Sequence, residues 1–181
     1  MIIDRSQIEK NIARIRCGYE NGTAFLIADQ VAATARHIIG DASSEITLEF
    51  LNISTEITSV KANIIKNDIL ESIDMDIAFL QLEVPIQGYE HLQFEDTQLP
   101  HNASWVTFSY PAIEYNHGLP IQGTLDQIKT SYNPCDYDMI LRYEGNEFNP
   151  EGVSGSPVII DGTVRGIITD DKAGPNLLGA I

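Results

Sequence analysis

The apolar positions of this chain repeat first at helical spacing and then, over most of its length, at the spacing of short strands. Ile8, Ile12 and Ile15 recur three to four residues apart with polar residues between them, which predicts an amphipathic helix from Ser6 to Arg16 that serves as a packing element. Ser6 caps it, with Glu9 three residues later, as in a capping box. After Gly18 the runs become β-like. Thr23 to Ala28 is one. Ile46, Leu48 and Phe50 alternate with polar residues, as do Val60, Ala62 and Ile64, and Ile77 to Leu82 is a compact apolar run. Strand-like runs resume at Trp105 to Ser109, Gly123 to Ile128 and Met139 to Tyr143. The clearest hairpin spans Pro157 to Ile168, where two apolar runs flank Asp161-Gly162. Asp-Gly favours a type I′ turn because both central residues need positive φ. Leu177 to Ile181 predicts a last strand.

Many short strands separated by turn signals point to an all-β sandwich or barrels. A looser stretch from Val84 to Pro100, carrying Pro85, Gly88 and Pro100, reads as a linker. The predicted organisation is a helical segment over 1–17, a first β lobe over 18–84, a linker over 85–100 and a second β lobe over 101–181. No repeat of fixed period and no low-complexity segment interrupts it.

Composition narrows the function classes. The chain has 181 residues with 26 acidic against 11 basic side chains, a net charge of −15. Such a surface repels a phosphate backbone and an anionic bilayer, which argues against nucleic acid and membrane partners. The two cysteines, Cys17 and Cys135, form no disulfide framework and read as free buried thiols. Low cysteine content fits a reducing compartment. Charged residues from Asp4 to Arg16 leave no apolar core of signal-peptide length, and no run reaches the roughly 18 apolar residues of a spanning helix. Cytoplasmic location is the expectation.

Three local features carry chemistry. In Val31-Ala32-Ala33-Thr34-Ala35-Arg36-His37, an apolar strand ends in small residues and delivers a histidine at the next turn. In Asp76-Ile77-Ala78-Phe79-Leu80, an aspartate directly abuts a buried-looking strand, where a carboxylate needs a hydrogen-bond partner. Asp76 is preferred over Asp74 because it adjoins the apolar run. In Gly152-Val153-Ser154-Gly155-Ser156-Pro157, glycines flank a serine, permit a tight turn and let backbone N–H groups converge on a developing oxyanion. Each has a structural counterpart: a packing histidine, a strand-leading turn, an ordinary loop. Together they read differently. Serine needs an adjacent base, histidine supplies it, and an aspartate fixes the tautomer of that base. The three occur in the order His37, Asp76, Ser154, which puts the first two in one lobe and the serine in the other. The reaction site then lies in the cleft between lobes.

With these residues in view, the chain resembles the chymotrypsin/trypsin superfamily, and its bacterial HtrA-type and other trypsin-like domains more than the digestive enzymes. Thr34-Ala35-Arg36-His37 resembles T-A-A-H, Asp76 to Leu80 resembles D-I-A-L-L, and Gly152 to Pro157 resembles G-N-S-G-G-P. Gly22 to Ile27, Phe108 to Pro111, Gly166 to Thr169 and Leu178 to Ile181 match further recurrent segments. The resemblance covers about residues 20 to 181. It implies two six-stranded antiparallel β-barrels, a serine endopeptidase working through an acyl-enzyme without metal or cofactor, and an oxyanion hole made by the amides of Gly152 and Ser154. It also implies a polypeptide substrate and a specificity pocket around Phe148 to Glu151, Thr169, Asp170, Asp171 and Leu177 to Gly179. Phe148 favours a small or apolar side chain there, whereas Asp170 and Asp171 favour a basic one.

The departures from the pattern are informative. Arg36 replaces a small residue before the histidine. Val153 stands where zymogen-activated members carry aspartate, which predicts no maturation by N-terminal cleavage. Ser156 replaces the second glycine after the nucleophile. With no peptide-binding domain following the last strand, the expectation is an excised domain or a small peptidase regulated by a partner protein, on analogy with stress or defence effectors. The competing readings are a catalytically silent trypsin-like domain that binds peptides or acts as a sensor, and a non-proteolytic β interaction domain with coincidental motifs.

Overall fold

The computed structural model describes residues 5–40, 44–52, 58–66, 75–89, 91–114, 116–128, 138–144, 150–174 and 176–181. Its chain forms two antiparallel barrels. The first closes from β1 (Ile12–Cys17), β2 (Glu20–Ala28), β3 (Val31–Thr34), β4 (Ile46–Phe50), β5 (Thr58–Ile65) and β6 (Ala78–Leu82), in the order β1-β2-β3-β6-β5-β4 with β1 returning to β4. Alternation on these strands turns Leu48, Val60, Leu80 and Leu82 into its interior.

The second sheet runs β11 (Pro157–Ile160), β8 (Ser104–Ser109), β9 (Leu119–Ile128), β10 (Met139–Tyr143), β13 (Leu177–Ala180), β12 (Thr163–Gly174), and closes through pairing of β11 with β12. A two-residue strand, β7 (Gln93–Phe94), adds to β12 in parallel. The predicted hairpin is present as β11–β12, with Asp161 at φ 52° and Gly162 at φ 85° supplying the two left-handed residues of its turn. A third apolar cluster joins the barrels: Ile8, Ile12, Phe25 and Ala33 meet Leu92, Phe108, Tyr110, Ile159, Val164 and Ile167. Among the described residues, no helix is long and apolar enough to cross a membrane.

The N-terminal expectation needs correction. The helix α1 covers Arg5–Asn11 only, and Ile12–Cys17 is a strand of the first barrel rather than the end of a helix. The barrel thus begins at Ile12, and not at 18. The segment carries two periodicities at once. Ile8, Ile12 and Ile15 fit a helix, while Ala13, Ile15 and Cys17 alternate with Arg14 and Arg16 as a strand does. Pairing with both β2 and β4 satisfies the backbone of this stretch on two sides and closes the barrel, so tertiary pairing overrides the local helical pattern. Glu9 pairs with Arg5 at 2.5 Å, one helical turn away. The stretch read as a linker also contributes β7 to the second sheet. Cys17 is buried with a free thiol, and Cys135 lies outside the described residues.

Candidate active site

Antiparallel pairing brings the histidine and the aspartate together. Thr34 at the end of β3 faces Ala78 at the start of β6, so the residues just after β3 lie beside those just before β6. The chain leaves β3 through Ala35 into a single helical turn, α2 (Arg36–Ile39), which carries His37. Asp76 sits at the centre of a three-residue turn closed by Ile77 N–H donating to Met75 O at 2.8 Å. Three hydrogen bonds join the two segments. Arg36 N–H donates to Asp76 O at 3.3 Å, His37 N–H donates to Asp76 Oδ1 at 2.8 Å, and His37 Nδ1 meets Asp76 Oδ2 at 2.7 Å. A carboxylate only accepts, so Nδ1 carries the proton and the lone pair resides on Nε2. The imidazole is 49% exposed and the carboxylate 31%, which leaves the ring accessible at the surface. Asp74, the other candidate acid, lies outside the described residues.

Ser154 lies on the loop between β10 and β11, and that loop is fastened to the first barrel. Thr23 N–H donates to Ser154 O at 2.9 Å, and the Thr23 hydroxyl donates to Gly152 O at 2.9 Å. The same hydroxyl accepts Tyr110 N–H at 3.1 Å, and Thr23 O accepts the Thr34 hydroxyl at 2.7 Å. All the polar atoms of Thr23 are thereby used in a fully buried position. Thr23 neighbours Gly22, where an added Cβ would collide with Ile38 and come within 3.2 Å of Ser154 O. Ile38 directly follows His37. The serine loop, Gly22 and the histidine helix are therefore in contact across the barrel boundary without any disulfide.

Two left-handed glycines shape the loop, Gly152 at φ 92° and Gly155 at φ 87°. A Cβ on Gly155 would overlap Thr23 O and the Thr34 hydroxyl. Gly155→Ala is accordingly expected to lower stability by about 2–6 kcal/mol, from a disfavoured φ and overpacking together, read as a fall in the urea midpoint. Val153 is fully buried in the core of the second barrel with Val158, Leu178 and Ala180. An apolar side chain anchors the loop there; an aspartate would be a carboxylate in an apolar core. Within the loop, Val153 N–H donates to Pro150 O, Gly155 N–H to Ile168 O and Ser156 N–H to Val153 O. Among the described residues, the amides of Gly152 and Ser154 have no partner within the protein.

A sequence profile for the trypsin-like peptidase domain matches residues 22–167. The chain belongs to that family. This trypsin-like peptidase domain is similar to the crystal structure of the Rv3671c protease of M. tuberculosis in its inactive form (18% identity, TM-score 0.72, 96% of this chain and 84% of that one). It is similar also to the active form (18%, 0.74, 96% and 76%) and to Deg5 (14%, 0.74, 96% and 85%). At such identities the likeness is one of fold, here the chymotrypsin-like pair of barrels. No curated protein matches the chain significantly.

The remaining sequence candidates of this peptidase domain fall around the strands that follow the serine. Thr169, Asp170 and Asp171 are on β12, and Gly179 on β13 pairs with both Asp170 and Ile140. Phe148 lies outside the described residues. A groove of about 780 Å³ is lined by Phe25, Ala33, Ile77, Phe79 and Phe94, and its lining includes neither His37 nor Ser154. Sequence reading singled out Ser156 only as a departure within the serine motif, and it did not single out Thr23 or Ser109, which hold the serine loop and Ser156. The signal of Thr23 and Ser109 was faint, since a threonine or serine inside an apolar run is also an ordinary strand residue.

Proposed function

We propose that this domain is a serine endopeptidase in which His37, Asp76 and Ser154 act as a triad and the amides of Gly152 and Ser154 bind the oxyanion. The observation that carries this reading is the pair of bonds from His37, backbone and ring, to the two oxygens of Asp76. It fixes both the orientation and the tautomer of the base. In the reaction, His37 Nε2 takes the Ser154 hydroxyl proton as Oγ attacks the substrate carbonyl. The negative charge that forms on the carbonyl oxygen is met by backbone N–H groups. The imidazolium then gives its proton to the departing amine, and the acyl group stays on Ser154. A water molecule, deprotonated by His37, breaks that ester, and the serine recovers its proton.

Substrates on this reading are polypeptides. The low cysteine content fits a reducing, cytoplasmic setting, and control of activity by a partner protein or a further domain is proposed by analogy with stress or defence effectors. A fluorophosphonate probe tests the chemistry. Stoichiometric labelling of Ser154 is expected, abolished by His37→Ala. A folded protein that takes no label overturns the reading.

A further inference from the structure

Resting on the serine-peptidase reading, we infer that Ser156, backed by Ser109, is a positioning pair that holds the amide of Ser154 in its oxyanion-binding orientation. A trans peptide is planar, with its N–H antiparallel to its C=O, and the described backbone has no cis bond. The direction of an amide is therefore set by whatever holds the carbonyl of the preceding residue. For Ser154 that carbonyl belongs to Val153. It accepts two donors from one residue, Ser156 N–H at 3.1 Å and the Ser156 hydroxyl at 2.5 Å. The Ser156 proton is spent on Val153 O, so in the 2.7 Å contact with Ser109 Oγ it is Ser109 that donates. Both hydroxyls are fully buried. A chain of hydroxyls thus runs from β8 through Ser156 to the Val153 carbonyl, each bond polarising the next. Turning the peptide would strand two buried donors, and in the orientation they hold the amide of Ser154 has no partner among the described residues.

The other amide of the pair is held differently. Gly152 N–H shares its peptide with Glu151 O, which accepts the backbone N–H of Ala112 at 2.7 Å. One amide is thus fixed by a backbone donor alone, the other by a backbone donor together with a side chain that mutation can remove. Ser156 is also where this chain departs from the G-N-S-G-G-P pattern, and a glycine at that position would lack the hydroxyl.

The test compares Ser156→Ala and Ser109→Ala with wild type in peptide hydrolysis, in affinity for a peptide boronate and in thermal melting. The boronate forms a tetrahedral adduct whose oxygen needs the oxyanion amides, whereas KM does not. Removing an oxyanion donor outright costs about 10²–10³ in kcat, and loosening one should cost about tenfold. We expect Ser156→Ala to lower kcat and boronate affinity by about that factor with KM changed less than about twofold. Ser109→Ala should act in the same direction by about threefold, because Ser156 then keeps its bond to Val153 but loses its donor. The double variant should match Ser156→Ala alone, as expected for residues acting in series. Unchanged kcat and boronate affinity in either folded variant overturns the inference, as does a loss that tracks melting temperature and raises KM equally. If Ser156→Ala does not fold, Ser109→Ala decides. Wild type that neither hydrolyses peptide nor takes a fluorophosphonate label overturns the serine-peptidase reading itself, and this inference with it.

Discussion

Ser154→Ala is expected to lower kcat for peptide hydrolysis by about 10⁶-fold while the protein melts as wild type does. That factor is the scale measured when the nucleophile of a triad is removed. The geometry explains why the loss should be confined to chemistry. The structure ties down the backbone of Ser154, whose carbonyl is held by Thr23 N–H and whose neighbours Gly155 and Ser156 bond to β12. Deleting one hydroxyl on a loop held by its main chain leaves those bonds untouched. The oxyanion amides and the binding surface also survive, so a residual rate of about 10³–10⁴ over water should remain. Progress curves with a fluorogenic peptide at high enzyme concentration would measure both. A variant retaining more than about one per cent of wild-type kcat would mean that Ser154 is not the nucleophile.

Asp76→Asn should cost about 10⁴-fold in kcat, the scale reported for this change in a triad, and here the reason can be followed atom by atom. Both oxygens of Asp76 face donors, Oδ1 the backbone N–H of His37 and Oδ2 its Nδ1. An amide offers one oxygen and one NH₂. The backbone N–H cannot change its role, so the amide oxygen must take Oδ1's place and the NH₂ must face Nδ1. The imidazole then has to carry its proton on Nε2, the atom that should accept the proton of Ser154. The variant keeps its shape and loses its base. Expected with it is a parallel fall in the rate of fluorophosphonate labelling, with the melting temperature little changed because the site is partly exposed. A variant labelled at the wild-type rate would remove Asp76 from the mechanism.

Such predictions were within reach of the sequence because the candidate residues sit at strand ends. His37 and Asp76 each adjoin an apolar run, and Ser154 leads into a hairpin whose Asp-Gly turn is itself a strong local signal. Alternation of apolar and polar residues marked β4 and β5, since a strand with one face in a barrel must repeat with period two, and strand-like runs marked β8 and β10. Where two periods overlapped, as in the stretch from Ile8 to Cys17, local pattern misled. The same isoleucines suit a helix face or a strand, and only barrel closure chose between them.

The candidate residues, their order and their setting at the ends of strands were legible in the chain alone: an acidic chain of short strands with a histidine, an aspartate and a serine in turn. Which segments meet is a matter of strand pairing and barrel packing. Pairing of Thr34 with Ala78 brings His37 to Asp76, contacts through Thr23 bind the serine loop to the opposite barrel, and the Ser109–Ser156 pair fixes a carbonyl within it. Those bonds link residues 39, 129 and 47 positions apart. Local periodicity carries no information at such distances; register and barrel closure supply it.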